Sequence, residues 1–430
     1  MNASFSNHSN PVHGGRIHGG RIHGGRIHVI DSLRGFALIG IVVAHCANQY
    51  IAGAPAPGYN ILFGPLDVAV SELGTYLTFG KFFTIFSFLF GLSFAIQMDR
   101  AADRNRPFVG RMLWRLVLLF AIGFVHSLFY SGDILRIYAF LGLFLILMRR
   151  LPNRAILIVG MLLVFNAPLL VGRINALNAP PPTPAQIEAA KAEGAAFMKM
   201  ATEQYRIKSS GTLGEVVVMN AKEGLIGTLF FQLFTGRLFI TLGLFLLGLY
   251  AGRRQLFADT PANRRFFRKF LWGSGLLALG STALLLAMGG FTMGPPPPGW
   301  QGFVGGVAFD VHQATLSAFY VAAVTLLFWQ TRTRFLHSLV AVGRMGLTIY
   351  LMQSLFGVLF FLGYGLGLVG KLGMAASVGA GLLFFALQIP FAAWWLSRYQ
   401  FGPVEWLWRS LTYGKAQPWR KPKAESVVLV

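Results

Sequence analysis

Long apolar runs recur along this chain, and their length decides what it can fold into. Residues 35–50, 113–129, 238–252, 271–290, 311–329 and 347–370 carry almost no charge. Apolar segments of roughly 18 residues or more suggest membrane spans rather than core helices. Only 12% of the residues are charged and 55% are hydrophobic, about half the charge of a soluble domain. The expected fold is an all-α, polytopic transmembrane helix bundle of about ten helices, each needing roughly 20 residues to cross. The apolar runs and their flanks place spans near 30–50, 78–98, 112–129, 134–149, 154–172, 226–252, 269–289, 305–329, 344–364 and 375–397.

A net charge of +22 would suit nucleic acid if it were gathered on one surface, but here it is divided among short loops. If both termini lie on one face, that face receives most of the Lys and Arg. The other face keeps Lys81, Arg173, Lys191, Lys199, Arg206, Lys208, Lys222 and Lys371. The positive-inside rule then places both termini in the cytoplasm. A membrane lipid surface, not nucleic acid, is the expected partner. The single cysteine, Cys46, excludes an internal disulfide. No cleavable signal is expected, because the first apolar run begins near residue 29 without a small-residue cleavage site.

Three regions follow. Residues 1–27 form a tail expected to be disordered, built on three HGGRI units starting at His13, His18 and His23. Residues 28–397 form the membrane domain, with one sizeable outer insertion at 173–223. There, APPPTP at 179–184 breaks the chain before a stretch of helical composition with mixed charges, read as a surface helix or lid. Residues 398–430 form an amphipathic, basic tail of the cytoplasmic interface, in which Glu405 is expected to cap or pair locally with Arg409. The proline run at 294–300 reads as a stiff outer connector.

Ionisable side chains within spans are costly to bury and are functional candidates for that reason. The first span carries Asp31, Arg34 and His45. Arg34 and His45 are eleven residues apart, so they share one helical stripe about 16 Å apart along the axis. Deep in the bilayer the imidazole is expected to be neutral and available as a base. Arg115 and His126 repeat the same spacing, so spacing alone identifies nothing. Asp133 and Arg136 are placed to pair on one helical face, while His126 and Asp133 are candidates to line an outer cavity. Asp310 and His312 lie toward the outer end of the eighth span but diverge around the helix, which argues against a shared metal. No HExxH, paired CxxC, phosphate loop or GxSxG is present, and no metal or resident cofactor is expected. Gln232, Gln353 and Gln388 read as hydrogen-bonding glue between helices, and Cys46 as packing.

The opening RIHVIDSLRGFALIGIVVAH resembles the start of the transmembrane acyltransferase superfamily, through Asp31, Arg34, Gly35 and His45. Longer segments resemble the YeiB-like family of bacterial membrane proteins, a domain-of-unknown-function group. These are KFFTIFSFLFGLSFAI at 81–96, HSLFYSGDILRIYAFLGL at 126–143, VGRMGLTIYLMQS at 342–354 and FGPVEWLWRSLTYG at 401–414. The chain departs at His45, where many YeiB-like proteins have Asn, and at Ile349, where relatives usually have Asn.

The superfamily resemblance implies transfer of an acyl group from cytoplasmic acyl-CoA, as co-substrate, to an envelope glycan or lipid acceptor at a bacterial inner membrane. On that reading His45 and Asp31 are the catalytic candidates. Arg34 and Arg344 hold the donor, and His126, Asp133, Asp310 and His312 are further substrate-binding candidates. A transporter or flippase of a small metabolite or lipid, and a non-catalytic scaffold, are the competing classes.

The HGGRI tract has a bland reading. Its Gly pairs keep it flexible, raising the entropy cost of gathering His ligands, and its Arg residues suit an anionic lipid surface. Deleting residues 1–25 is therefore expected to leave membrane insertion and any activity unchanged, as checked by membrane-fraction yield and assay. Loss of either in the truncated protein would contradict this.

Overall fold

A computed structural model describes residues 17–18, 21–22, 27–51, 56–290, 299–330 and 334–421. The proline run at 294–298 and most of the HGGRI tract lie outside the described residues. Within that tract only the two-residue strands β1 (Ile17–His18) and β2 (Arg21–Ile22) are described, paired antiparallel.

The remainder is helical, and the protein is a multi-pass integral membrane protein. Six helical segments are long and apolar enough to cross a membrane alone, and three bent pairs raise the number to nine among the described residues. A further apolar helix, Leu135–Met148, has 14 residues and is shorter than these.

The direction of each traverse follows from its neighbours. Helix α1 (His28–Ala47) leaves the face that carries Arg34. Next, α2 (Pro65–Leu77) and α3 (Phe82–Asp103) bring the chain back, with Phe82 beside Gly40 and Ser93 beside Arg34. Helix α4 (Val109–Phe129) goes out, and α5 (Leu135–Met148) returns with Leu116 against Gly142. Helices α6 (Asn153–Val164) and α7 (Ala167–Leu177) leave again as a pair bent by 47°.

After α8 (Pro184–Ser210), α9 (Leu213–Phe234) and α10 (Arg237–Arg253) together make one broken return. Here α10 runs parallel to α3, with Phe88 beside Gly248 and Ala95 beside Gly252. Helices α11 (Pro261–Ala287) and α12 (Trp300–Gln330) form an antiparallel pair, tied by Arg264 to the Trp329 carbonyl at one end and Thr282 to His312 at the other. Helix α13 (Arg334–Arg344) meets α14 (Gly346–Phe361) at 86°. Helix α15 (Met374–Arg398) closes the bundle, and α16 (Pro403–Tyr413) lies across the basic face.

Several boundaries differ from those read in the sequence. The expected span at 226–252 is two helices rather than one, the second half of α9 from Ile226 and then α10. Between them Gly236 turns the backbone at φ 72°, with the Asn166 side chain seated against its Cα where a Cβ would clash. The first half of α9, Leu213–Lys222, lies in the stretch read as the end of the outer insertion. Helix α2 lies in a segment read only as a connection. The rest of the insertion is dominated by α8, which starts in a capping box at Thr183 and buries little beyond Ala201 and Lys208. Gln353 bonds Gln388 at 3.1 Å and joins α14 to α15, and Cys46 packs against Gly381.

Glu405 does not stay within its own helix. Its carboxylate accepts from the Leu347 and Thr348 amides at 2.7 and 3.0 Å, and from the Thr348 hydroxyl. The first amides of α14 have no intrahelical acceptor, so a carboxylate from α16 takes that place.

Glycine permits the closest helix contact. On α3 and α10, a Cβ at Gly91 would meet the Phe245 carbonyl, and one at Gly248 the Phe88 carbonyl. Small residues at such crossings let backbones approach within a membrane. Gly248→Leu should therefore cost about 1–3 kcal/mol through overpacking and lower the thermal midpoint in detergent. Gly273→Leu, where a Cβ has open space, should not; equal midpoints for the two variants would contradict this packing.

Candidate functional site

A cavity of about 1980 Å³ lies within the bundle. Its walls include one end rich in arginine and another rich in tyrosine and histidine. The tyrosine end is assembled from separate elements that converge on His45.

At the basic face, Arg34, Arg100, Arg104, Arg106, Arg111 and Arg344 line the opening. Arg34 stands one turn after Asp31 and donates to its carboxylate at 2.7 Å, while its other terminal nitrogen reaches Ser93 on α3. Arg344 ends α13 and donates to the Gln400 carbonyl at 3.5 Å. Arg115 stacks over Trp408 at 4.3 Å, which fixes α16 beside this opening. Glu405 is the neighbouring acid: burial pushes its carboxyl above the ordinary carboxylate range, and its bonds from Thr348 and Leu347 pull it back. The opening can thus neutralise a ligand carrying several negative charges, with guanidinium forks suited to phosphate oxygens.

Three turns along α1 from Arg34, His45 faces the same cavity. Its ring lies 5.3 Å from Tyr50, 5.3 Å from Tyr130 and 6.4 Å from Tyr350. Its Nδ1 is buried with no hydrogen-bond partner among the described residues. His126 stands behind Tyr350 and Tyr130, at 5.3 and 5.8 Å between rings.

Asp133 organises this second histidine. Its Oδ1 lies 2.8 Å from His126 Nδ1, so the carboxylate accepts from Nδ1–H and does not engage Nε2. That Nε2 is buried and unpartnered among the described residues. Oδ2 accepts from the Arg136 amide at 3.0 Å and sits 3.5 Å from its guanidinium. Arg136 also reaches Thr228 on α9 at 3.4 Å. One carboxylate therefore joins α4 and α5 directly and reaches α9 through Arg136.

The structure brings six of the sequence-derived candidates to one region: Asp31, Arg34, His45, Asp133 and Arg344 line the cavity, and His126 stands directly behind its wall. Asp310 and His312 are not part of it. Arg173 donates to Asp310 at 2.8 Å, while His312 lies 2.9 Å from the Tyr76 carbonyl and 3.1 Å from the Thr282 hydroxyl. Both are occupied in holding α12 to its neighbours. Among the described residues no group of three His, Cys, Asp or Glu side chains is arranged to hold a metal. Sequence reasoning did not single out Tyr50, Tyr130 or Tyr350. Tyrosine near span ends reads as an interfacial belt, and these three converge from separate elements.

Comparison with known proteins bears on this arrangement. A family model described as "Protein of unknown function (DUF418)" matches residues 251–415, which include Arg344, Tyr350 and Glu405. The uncharacterized protein YxaH of Bacillus subtilis (strain 168) is 31% identical over 413 residues, covering 91% of this chain and 95% of its own length. An uncharacterized 39.9 kDa protein from the amylase 3' region of Bacillus acidopullulyticus is 26% identical, over 90% of this chain and 94% of its own. The uncharacterized protein YeiB of Escherichia coli (strain K12) is 27% identical, over 90% and 97%.

Removing the Asp133 charge alone leaves Arg136 buried against an uncompensated environment. Asp133→Asn should then cost about 3–5 kcal/mol, seen as a lower thermal midpoint in detergent. The double variant Asp133→Leu with Arg136→Met should recover much of it. A single variant as stable as the parent would contradict the pairing.

Proposed function

We propose, for a chain that belongs to the DUF418 family together with YxaH and YeiB, that it transfers an acyl group within the membrane. The donor is a cytoplasmic acyl-CoA and the acceptor is a hydroxyl group presented from the other side. The observation that carries this reading is the continuity of one cavity from the arginine opening to His45. The rise of α1 between Arg34 and His45 is about 16 Å, comparable to an extended pantetheine arm. Phosphates held at the basic opening would therefore leave the thioester near the imidazole.

In the transfer step His45 takes the proton of the acceptor hydroxyl, and that oxygen attacks the thioester carbonyl carbon. The carbon–sulfur bond breaks, and the departing thiolate takes the proton back from His45. Asp31 holds Arg34 at the opening, so its part is positioning. Tyr350 and Tyr130 link His45 to the His126–Asp133 pair and supply hydroxyls around the reacting atoms. On this reading the arginine opening faces the cytoplasm at a bacterial inner membrane, with both termini on that side, an orientation that the positive-inside bias supports.

Broken helices favour a second reading. The bends at α6–α7 and within α9 resemble the discontinuous helices of transporters, where loosened backbone faces a substrate path. Uptake into proteoliposomes with no covalent change would favour that class.

Purified protein is expected to bind and consume labelled acyl-CoA. His45→Ala should lower turnover by about 10²–10⁴-fold, as for loss of a general base, while donor binding persists. Arg104→Ala with Arg106→Ala, both exposed in the parent, should weaken donor binding without unfolding the protein. Absence of acyl-CoA binding and consumption by the parent protein, or full activity in His45→Ala, would overturn the assignment.

A further inference from the structure

The cavity has a third wall, away from the arginine opening. Phe197, Met200, Ala201 and Gln204 of α8 line it, and their i, i+3, i+4, i+7 spacing puts them on one helical face. On α9 the lining residues are Asn220, Gly224, Gly227, Thr228, Phe231 and Gln232, again one stripe. The opposite stripe of α9 holds Ile226, Phe230 and Phe234, which are 84%, 68% and 77% exposed. A single helix therefore separates the cavity from the hydrocarbon surroundings.

That helix is interrupted where it forms the wall. Gly224 has φ 35° and ψ −152°, and the two halves of α9 meet at 62°. A Cβ built on Gly224 or on Gly227 would meet nothing within 4 Å among the described residues. Gly227 and Phe231 both line the cavity and are exposed, so the stripe is open at this point.

Behind the opening the wall is polar and incompletely satisfied. Asn220 is 5% exposed and Gln232 is 7% exposed, yet the side-chain carbonyl oxygen of each has no hydrogen-bond partner among the described residues. Both line the cavity. A buried acceptor without a donor is destabilising, and a ligand hydroxyl would relieve it. Exposed aromatic and aliphatic side chains outside and bare carbonyl oxygens inside match a molecule with an apolar tail and a hydroxylated head.

We propose that the acceptor is a membrane-resident lipid with a hydroxylated headgroup, and that it enters sideways through the gap at Gly224–Gly227. Its tail stays against Ile226, Phe230 and Phe234, its head meets Asn220 and Gln232, and the lining face of α8 roofs the passage. This deepens the acyl-transfer reading and names its acceptor class, but the passage is testable without any turnover.

The test uses the full-length protein in phosphatidylcholine nanodiscs. The probe is a glycosyl diacylglycerol with a diazirine in one acyl chain beside the sugar. After photolysis, adducts are mapped by peptide mass spectrometry, with the same diazirine chain on phosphatidylcholine as comparison. The expected result is glycolipid labelling of Met200 and Phe231 severalfold above the phosphatidylcholine probe.

Gly227→Trp fills open space and should lower that labelling severalfold while leaving acyl-CoA binding intact. Gln232→Leu keeps the gap open and should erase the preference for the glycolipid. Labelling of Ile226, Phe230 and Phe234 alone in the parent, or interior labelling unchanged in both variants, would overturn the proposal. Interior labelling in a parent protein that binds no acyl-CoA would defeat the transfer reading and leave the lipid passage standing.

Discussion

A charge cannot rest in hydrocarbon without a partner or a water-filled space beside it, and this requirement organises the interior of the bundle. Asp133 shows it most clearly. Nearly inaccessible, it divides its two oxygens between His126 and Arg136, and Arg136 passes the connection on to Thr228. The carboxylate thereby ties the turn between α4 and α5 to the broken helix that walls the cavity. Arg34 is treated the same way at the basic face, held by Asp31 and Ser93. Arg237, at the start of α10, instead lies over the rings of Phe83 and Phe231, at 5.3 and 5.6 Å. The few charges inside the apolar helices are tolerated because they are paired, stacked or turned toward one cavity.

The traverses were legible because a membrane span is a long, one-valued signal, and errors arose where the backbone changes direction inside an apolar run. FQLFTGRLFI reads as continuous, but Gly236 turns the chain there because Asn166 occupies the space a side chain would need. Helix α2 was missed for the reverse reason: Asp67 and Glu72 interrupt its apolar pattern, although Asp67 is buried and accepts from the Ala375 amide. Both partners are distant in sequence.

The site was legible in part for the same reason. Asp31 with Arg34 and Asp133 with Arg136 are one turn apart, so their pairing follows from helix geometry. Glu405 has Arg409 at a favourable spacing, yet the unsatisfied amides at the start of α14 make the stronger demand on its carboxylate. Tyr50, Tyr130 and Tyr350 surround His45 only because α1, the α4–α5 connection and α14 converge, and no local pattern encodes that. Asp310 and His312 looked like part of a site from residue type alone. Their bonds to Arg173, Tyr76 and Thr282 give them structural roles instead.

On the proposed reading, the cavity joining the arginine opening to His45 brings an acyl donor and a hydroxylated lipid to a common point. The most direct measurement is a mass comparison of total lipids and envelope glycans from cells that carry the gene and cells from which it is deleted. A hydroxylated lipid should lose the mass of one acyl group on deletion and regain it when the parent gene, but not the His45→Ala form, is restored. Identical lipid and glycan masses in both strains, under conditions where the protein is present in the membrane, would contradict it.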